Sequence, residues 1–237
     1  MNRRVLFFAL SVACLLGFVS ACGDDDKQNV YYVWNEPAIA GLHNNVPVIH
    51  TSHGTYEAQL KPSTQKGDYL WITSFVLDMN KQVDSKLLKV TNLLYDSIGG
   101  DRGRVHPGAD YATLFPEYAD SIEVAALYGN YVGNVLFFKF EFSRPTKAQY
   151  SYVVFYTGEK DRNDNPILRI KVRREAEDHA VSTNVVRYAF DMTDFLEEIG
   201  NPATVSLNIM YKVGLEDGKD KYTAFKSNPI TWTRPAQ

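Results

Sequence analysis

Two kinds of apolar pattern occupy the chain. One is a single largely apolar run from Val5 to Val19, with Phe7, Phe8, Leu10, Leu15, Leu16 and Phe18. The other is repeated alternation of apolar and polar residues, the period of a half-buried strand. It is clearest over Asn134 to Phe142, where Leu136, Phe138, Phe140 and Phe142 share one face against Lys139 and Glu141. Four large side chains buried at about 1.5–3 kcal/mol each make this a core strand. Gln149 to Tyr156 predicts the next strand. Ile167 to Arg173 sets Leu168, Ile170 and Val172 against Arg169, Lys171 and Arg173. Val185 to Phe190 follows, then Val205, Leu207, Ile209, Tyr211 and Val213, and a last strand near Tyr222 to Trp232. Thr193 to Ile199 predicts a short helix, capped by Asp191 or Thr193, ended by Gly200 and kept from resuming by Pro202. Turns at 161–166 and 216–218 separate alternating strands, the pattern of an antiparallel β-sandwich over 117–237.

The pattern before residue 98 falls into short strands. Val30 to Trp34 is aromatic and β-branched, a strand signal, and Pro37 and Gly41 are expected to break it. Val46 to His50 predicts a strand held to an edge or an end by Pro47. A turn at Ser52-His53-Gly54 leads to a returning strand over Thr55 to Leu60. After a turn at Lys66-Gly67-Asp68, Tyr69 to Leu77 predicts a strand with Trp71, Thr73, Phe75 and Leu77 on one face. Leu87 to Tyr95 closes the series after the polar segment Asn80 to Lys86. Such short strands without helical periodicity suit a small barrel over 30–98. Between the two regions, 99–116 collects Gly99, Gly100, Gly103, Pro107 and Gly108 around Asp101, Arg102 and Arg104. That density predicts a surface connection.

The apolar run near the amino terminus has its own logic. Arg3 and Arg4 precede it, and small residues follow, the layout of an export signal too short for a stable membrane span. Its ending, Val19-Ser20-Ala21-Cys22, resembles the lipobox of bacterial lipoproteins. The resemblance implies removal of 1–21 and acylation of Cys22. Each buried CH₂ then contributes about 0.8 kcal/mol, and two or more chains hold a protein on a membrane stably. Residues 22–29 form an acidic tether. Gly23 to Asn29 spans roughly 25 Å at most, so the folded part stays close to its membrane. Asp24, Asp25 and Asp26 have a plain reading as a solvated charge run. They also resemble the surface-export signal of Bacteroidetes lipoproteins. The expected address is therefore the cell envelope, as an outer-membrane lipoprotein on the surface or periplasmic side.

Removing 1–21 leaves 216 of 237 residues, and losing Arg3 and Arg4 takes the formal net charge from −3 to −5. A net acidic chain gives no support for nucleic-acid binding. Cys14 departs with the signal and Cys22 carries lipid, so disulfides, cysteine metal sites and thiol catalysis are excluded downstream. Stability then rests on apolar cores, for which 45% hydrophobic residues, with 15 Tyr and 13 Phe, are ample.

Lys66-Gly67-Asp68 before a strand, Leu88 to Leu94, Ala119-Asp120-Ser121-Ile122, Tyr131, Gly133-Asn134, the Leu136-to-Phe142 strand and Val205 to Ile209 together resemble NigD-like lipoproteins of Bacteroidetes. The resemblance implies an N-terminal OB-like barrel and a C-terminal β-sandwich behind a lipobox, an all-β protein. It implies no molecular activity. The family name comes from association with a bacteriocin gene cluster, so an accessory or immunity role is one alternative.

Chemistry is sparse. His50 and His53, with His43 nearby, lack further ligands for a metal, and capping or surface roles are the default. Asp161, Asn163 and Asn165 have the spacing of a calcium loop. Pro166 stands where glycine is required and Val172 where a bidentate Glu is required, so the segment is a hairpin turn. Gly99 to Arg104 lacks the Gly-Lys-Ser/Thr ending of a phosphate loop. No Gly-x-Ser-x-Gly or His-Glu-x-x-His occurs. Glu197-Glu198 reads as a solvated helix face. Arg169, Lys171 and Arg173 form a cationic row suited to sulfated or carboxylated glycans, against the plainer reading of an outward soluble face. Trp34, Trp71 and Trp232 offer sugar-stacking surface or core packing. The expectation is a non-enzymatic anchored protein that binds an unidentified protein or glycan, with no catalytic residue, metal or cofactor assigned. The alternative is a glycan- or peptide-acting enzyme with unpaired carboxylates.

Overall fold

A computed structural model describes residues 30–79, 82, 87–98, 102–108, 116–118, 120, 126–146, 149–176, 183–224 and 229–234. The export signal, Cys22, Asp24, Asp25, Asp26, most of the polar segment 80–86 and Gly99 to Asp101 lie outside them. The chain divides into two compact units, one ending at Ser97 and one beginning at Ile98.

The first unit is a closed five-stranded barrel of OB-like order, β1-β2-β3-β5-β4. Its strands are β1 (Val30–His43), β2 (Val46–Thr51), β3 (Gly54–Glu57), β4 (Tyr69–Asp78) and β5 (Leu88–Ser97). Closure removes free edges that would otherwise template aggregation. β1 corrects the expectation that Pro37 and Gly41 break the strand. Pro37 pairs only with Trp71 of β4, before β2 joins at Ile39, so its missing N–H falls where the far side of β1 has no partner strand. Gly41 lies under the ring of His50, whose Nε2 would stand 2.3 Å from an added Cβ. The strand bends instead at Asn35, which takes φ +52°. Tyr31 and Val33 pack against the core before that bend, and Ala38 and Ala40 enter it after.

β4 corrects a second expectation. Leu70, Ile72, Phe75 and Leu77 fill the barrel core, whereas Thr73 is exposed. The alternation slips where the β4–β5 register shifts on both sides of Ser74, with the left-handed Asn92 of β5 lying between Thr91 and Leu94, the partners of Val76 and Ser74. β3 ends at Glu57 rather than Leu60.

The second unit is a sandwich-like sheet whose strand order is β13-β12-β10-β9-β6-β11-β8-β7, with β14 beside β12. Here β6 is Arg102–Pro107, β7 Ala126–Val132, β8 Val135–Thr146, β9 Gln149–Lys160, β10 Pro166–Ala176, β11 Thr183–Asp191, β12 Thr204–Glu216, β13 Lys219–Ala224 and β14 Ile230–Thr233. β6 corrects the expectation of a plain connection over 99–116. Its first half runs parallel to β11 and its second half parallel to β9, so one short strand joins both ladders. Gly103 makes the passage possible, because a Cβ there would lie 2.7 Å from Phe190. Val105 is wholly buried in the core.

That core draws Leu136, Phe138 and Phe140 from β8, Val154 from β9, Leu168, Ile170 and Val172 from β10, and Leu207 and Ile209 from β12. The short helix α1 (Thr193–Glu198) adds Phe195 and Leu196. Asp191 Oδ1 accepts from Thr193 N at 2.8 Å, and Gly200 at φ +83° ends the helix. The final segment makes two strands, not one. β14 is held by Trp232, whose indole N–H donates to Gly133 O at 2.7 Å in the β7–β8 turn. Gly129 of β7 lets Ile230 approach, since an added Cβ would meet Ile230 Cδ1 at 2.5 Å.

Candidate functional site

Three groups of side chains differ in what their surroundings leave them able to do. The first is the cationic row of β10. Arg169 Nε and Nη2 donate to Glu159 Oε2 at 3.1 and 2.5 Å, and its guanidinium lies 4.4 Å from the Tyr222 ring centre. Arg173 Nε and Nη2 donate to Glu175 Oε1 at 2.9 and 2.5 Å, with the Tyr118 ring 5.3 Å away. The Ser151 hydroxyl and then Arg173 hold the Glu175 carboxyl below the usual carboxylate range. Lys171, between the two arginines, is buried. A sulfate or carboxylate arriving at this row would compete with carboxylates already in bonding geometry.

The second group lies at the β2–β3 hairpin. Glu36, only 4% exposed, faces the hairpin from β1. Ser52 Oγ donates to Glu36 Oε1 at 3.2 Å, and His53 Nε2 stands 3.6 Å from the same oxygen. Burial pushes the Glu36 carboxyl up, while His53 and bonds from Thr51 and Ser52 pull the other way without reversing it. Burial, with Glu36 adding to it, pushes the Tyr56 hydroxyl to about 12. His50 Nδ1 shares a hydrogen with Thr55 Oγ1 at 2.9 Å, and burial, then His43, lowers its pKa. The structure thus brings His50 and His53 onto one hairpin. Among the described residues, no group of three or more His, Cys, Asp or Glu side chains is placed to hold a metal ion. Sequence reasoning missed Glu36. Its signal was a single acidic residue between Trp34 and Pro37 in an otherwise strand-like segment.

The third group is on the outside of the barrel. Tyr32 and Trp34 of β1 are 57% and 63% exposed and stack, with ring centres 6.4 Å apart and planes 16° from parallel. Trp71 and Trp232, by contrast, are buried. The sugar-platform reading therefore keeps one tryptophan of its three.

Two motif segments noted in the sequence have structural roles. Asp161 accepts from Asn163 N, Asn165 N, Asn165 Nδ2 and Asn208 Nδ2 at 2.8, 2.8, 3.0 and 2.6 Å. Those bonds, led by the Asn165 side chain, lower its pKa and pin the β9–β10 turn. Asp120 bridges to Val172, and its Oδ2 accepts from Arg174 N at 2.8 Å. Among the described residues, no helix is long and apolar enough to cross a membrane.

No family model matches the chain, and no curated protein matches it. Solved structures do. An uncharacterized protein from Parabacteroides merdae superposes with TM-score 0.58 at 10% identity, over 85% of this chain and 99% of that one. A putative toxin related protein from Parabacteroides distasonis superposes with TM-score 0.52 at 17% identity, over 84% and 94%. A NigD-like immunity protein from Bacteroides caccae reaches only TM-score 0.45 at 11% identity, over 89% and 99%, too loose a superposition to carry a conclusion. The two-unit β architecture is thus shared with the Parabacteroides proteins, and at these identities the likeness extends to fold alone.

Proposed function

We propose that the chain is a lipid-anchored protein of the cell envelope that works by binding a partner, and that it belongs with the NigD-like lipoproteins. One observation carries this reading. Val19-Ser20-Ala21-Cys22 is followed by seven tether residues and then by the first strand of a closed barrel at Val30. An acylated Cys22 places that barrel within roughly 25 Å of the membrane surface. The short structural motifs noted above, and a fold shared with Parabacteroides proteins, support the family placement.

The binding role is supported by how the charged groups are committed. Arg169 and Arg173 serve Glu159 and Glu175. Glu36 has the raised pKa of a general acid, yet the groups that touch it, Ser52 and His53, belong to a hairpin it holds in place. Asp24, Asp25 and Asp26 direct the protein to the cell surface in this reading, where an unidentified protein or glycan is its partner.

Fractionation of cells expressing Cys22→Ala tests the anchor. The variant is expected to leave the membrane fraction, and retention there would contradict the reading. Protease treatment of intact cells tests the address, with Asp24, Asp25 and Asp26 changed together to Asn. Loss of surface cleavage without loss of protein is expected.

A further inference from the structure

The outward side chains of β1, β4 and β5 make a surface that the barrel does not use itself. Tyr32 stands opposite Val76 of β4, which stands opposite Thr91 of β5. Trp34 stands opposite Ser74, which stands opposite Leu94. Directly opposed residues share a face. The six positions carry no charge. Trp34, Tyr32 and Leu94, exposed by 63%, 57% and 61%, supply its large side chains. Met79, also exposed, follows Asp78, whose partner across the ladder is Val30. Asp78 is the next position on this face, so the uncharged surface starts one pair in from the end of the barrel where the chain enters.

We propose that this face rests on the headgroup layer of the membrane that holds the protein, with Tyr32 and Trp34 as its interfacial anchors. The proposal rests on the lipid at Cys22. Aromatic rings with one polar atom settle at the boundary between headgroup and acyl chain, and Trp and Tyr are enriched there. Chain length selects this occupant over a soluble one. Trp34 lies roughly 13 Å along β1 from Val30 at about 3.3 Å per residue. The seven residues before Val30 reach roughly 25 Å at most. Trp34 is thus never more than roughly 38 Å from the bilayer surface. A surface held that close meets its target at high effective concentration, so a weak interfacial affinity is enough to orient the barrel.

The chain has 3 tryptophans, and Trp71 and Trp232 are each 2% exposed, so Trp34 reports on this face. The test uses the full lipidated protein in vesicles of phosphatidylethanolamine and phosphatidylglycerol, with and without bromines placed high on the acyl chains. Wild-type emission is expected to be quenched by the brominated lipid and shielded from aqueous acrylamide. Trp34→Phe is expected to float with the vesicles equally well and to lose the quenched component. Wild-type protein that floats but shows equal emission in both lipids, with Trp34 open to acrylamide, overturns the resting face and leaves the anchor standing. Wild-type protein that fails to float overturns the anchor and the resting face with it.

Discussion

The outer face of β10 and the outer face of β1 teach opposite lessons. β10 advertises itself in the sequence as a binding surface, with Arg169, Lys171 and Arg173 in strict alternation. In the fold its guanidiniums are occupied by Glu159 and Glu175 and lie over Tyr222 and Tyr118. β1 advertises itself as a core strand, a run of tyrosine, valine and tryptophan. In the fold Tyr31 and Val33 meet the core, while Tyr32 and Trp34 are left to solvent. Charge that folds back on neighbouring acids is spent, whereas aromatic area that no strand covers stays available.

The largest break of this comparison is between tryptophans. Trp232→Ala removes a buried ring and its bond to Gly133 O, and should cost about 3–5 kcal/mol in denaturant unfolding. Trp34→Ala should stay within about 0.5 kcal/mol of wild type, as surface substitutions do. Equal losses would mean that Trp34 is part of a core. Next in size is Gly41→Ala, which places a methyl against the His50 ring and should cost about 1–3 kcal/mol. A neutral result would show that the ring moves aside freely.

Arg169→Ala removes a partly screened ion pair and a stacked contact, and about 1 kcal/mol is expected by the same denaturant titration. A sharper form frees the cations. Glu159→Gln combined with Glu175→Gln should strengthen retention on a sulfated-polysaccharide column relative to wild type. Unchanged retention would mean that those acids do not occupy the row in solution.

The smallest effect is a slope. Glu36 has a raised pKa in the folded chain, so between the ordinary glutamate value and the raised one the folded state binds more protons than the unfolded. Stability from this group is complete below the unfolded pKa and is lost as pH rises through the folded one. Glu36→Gln should remove that decline, so that the variant gains on wild type as pH rises. Parallel profiles of unfolding free energy against pH would contradict the assignment.

The sandwich was more legible than the barrel, and the reason is regularity. In β8, β10 and β12, Leu136, Phe138, Leu168, Ile170, Leu207 and Ile209 fall inward as the period requires. The barrel must curve to close, and it curves at Asn35 and Asn92, which reset the alternation on β1 and β5. A period-two reading of Trp71 to Leu77 therefore assigned Thr73 to the wrong side. β6 was hidden for another reason. Val105 is its one core residue, and Gly103 is there to admit Phe190, so its pattern resembles a loop. β7 was hidden by Gly129, which makes room for Ile230 from the far end of the chain. In both cases a glycine answers a neighbour distant in sequence. The site suffered likewise. Glu36 gains its meaning only when the β2–β3 hairpin folds over it, and Tyr32 and Trp34 only when closure leaves their face uncovered.

The proposed anchor at Cys22 underlies both the proposed cellular address and the proposed resting face of the barrel, and the mass of the mature amino-terminal peptide tests it most directly. The account predicts a chain beginning at Cys22 and carrying the mass of acyl groups on that residue. A peptide beginning at Cys22 or elsewhere with an unmodified sulfur and a free amine would contradict it.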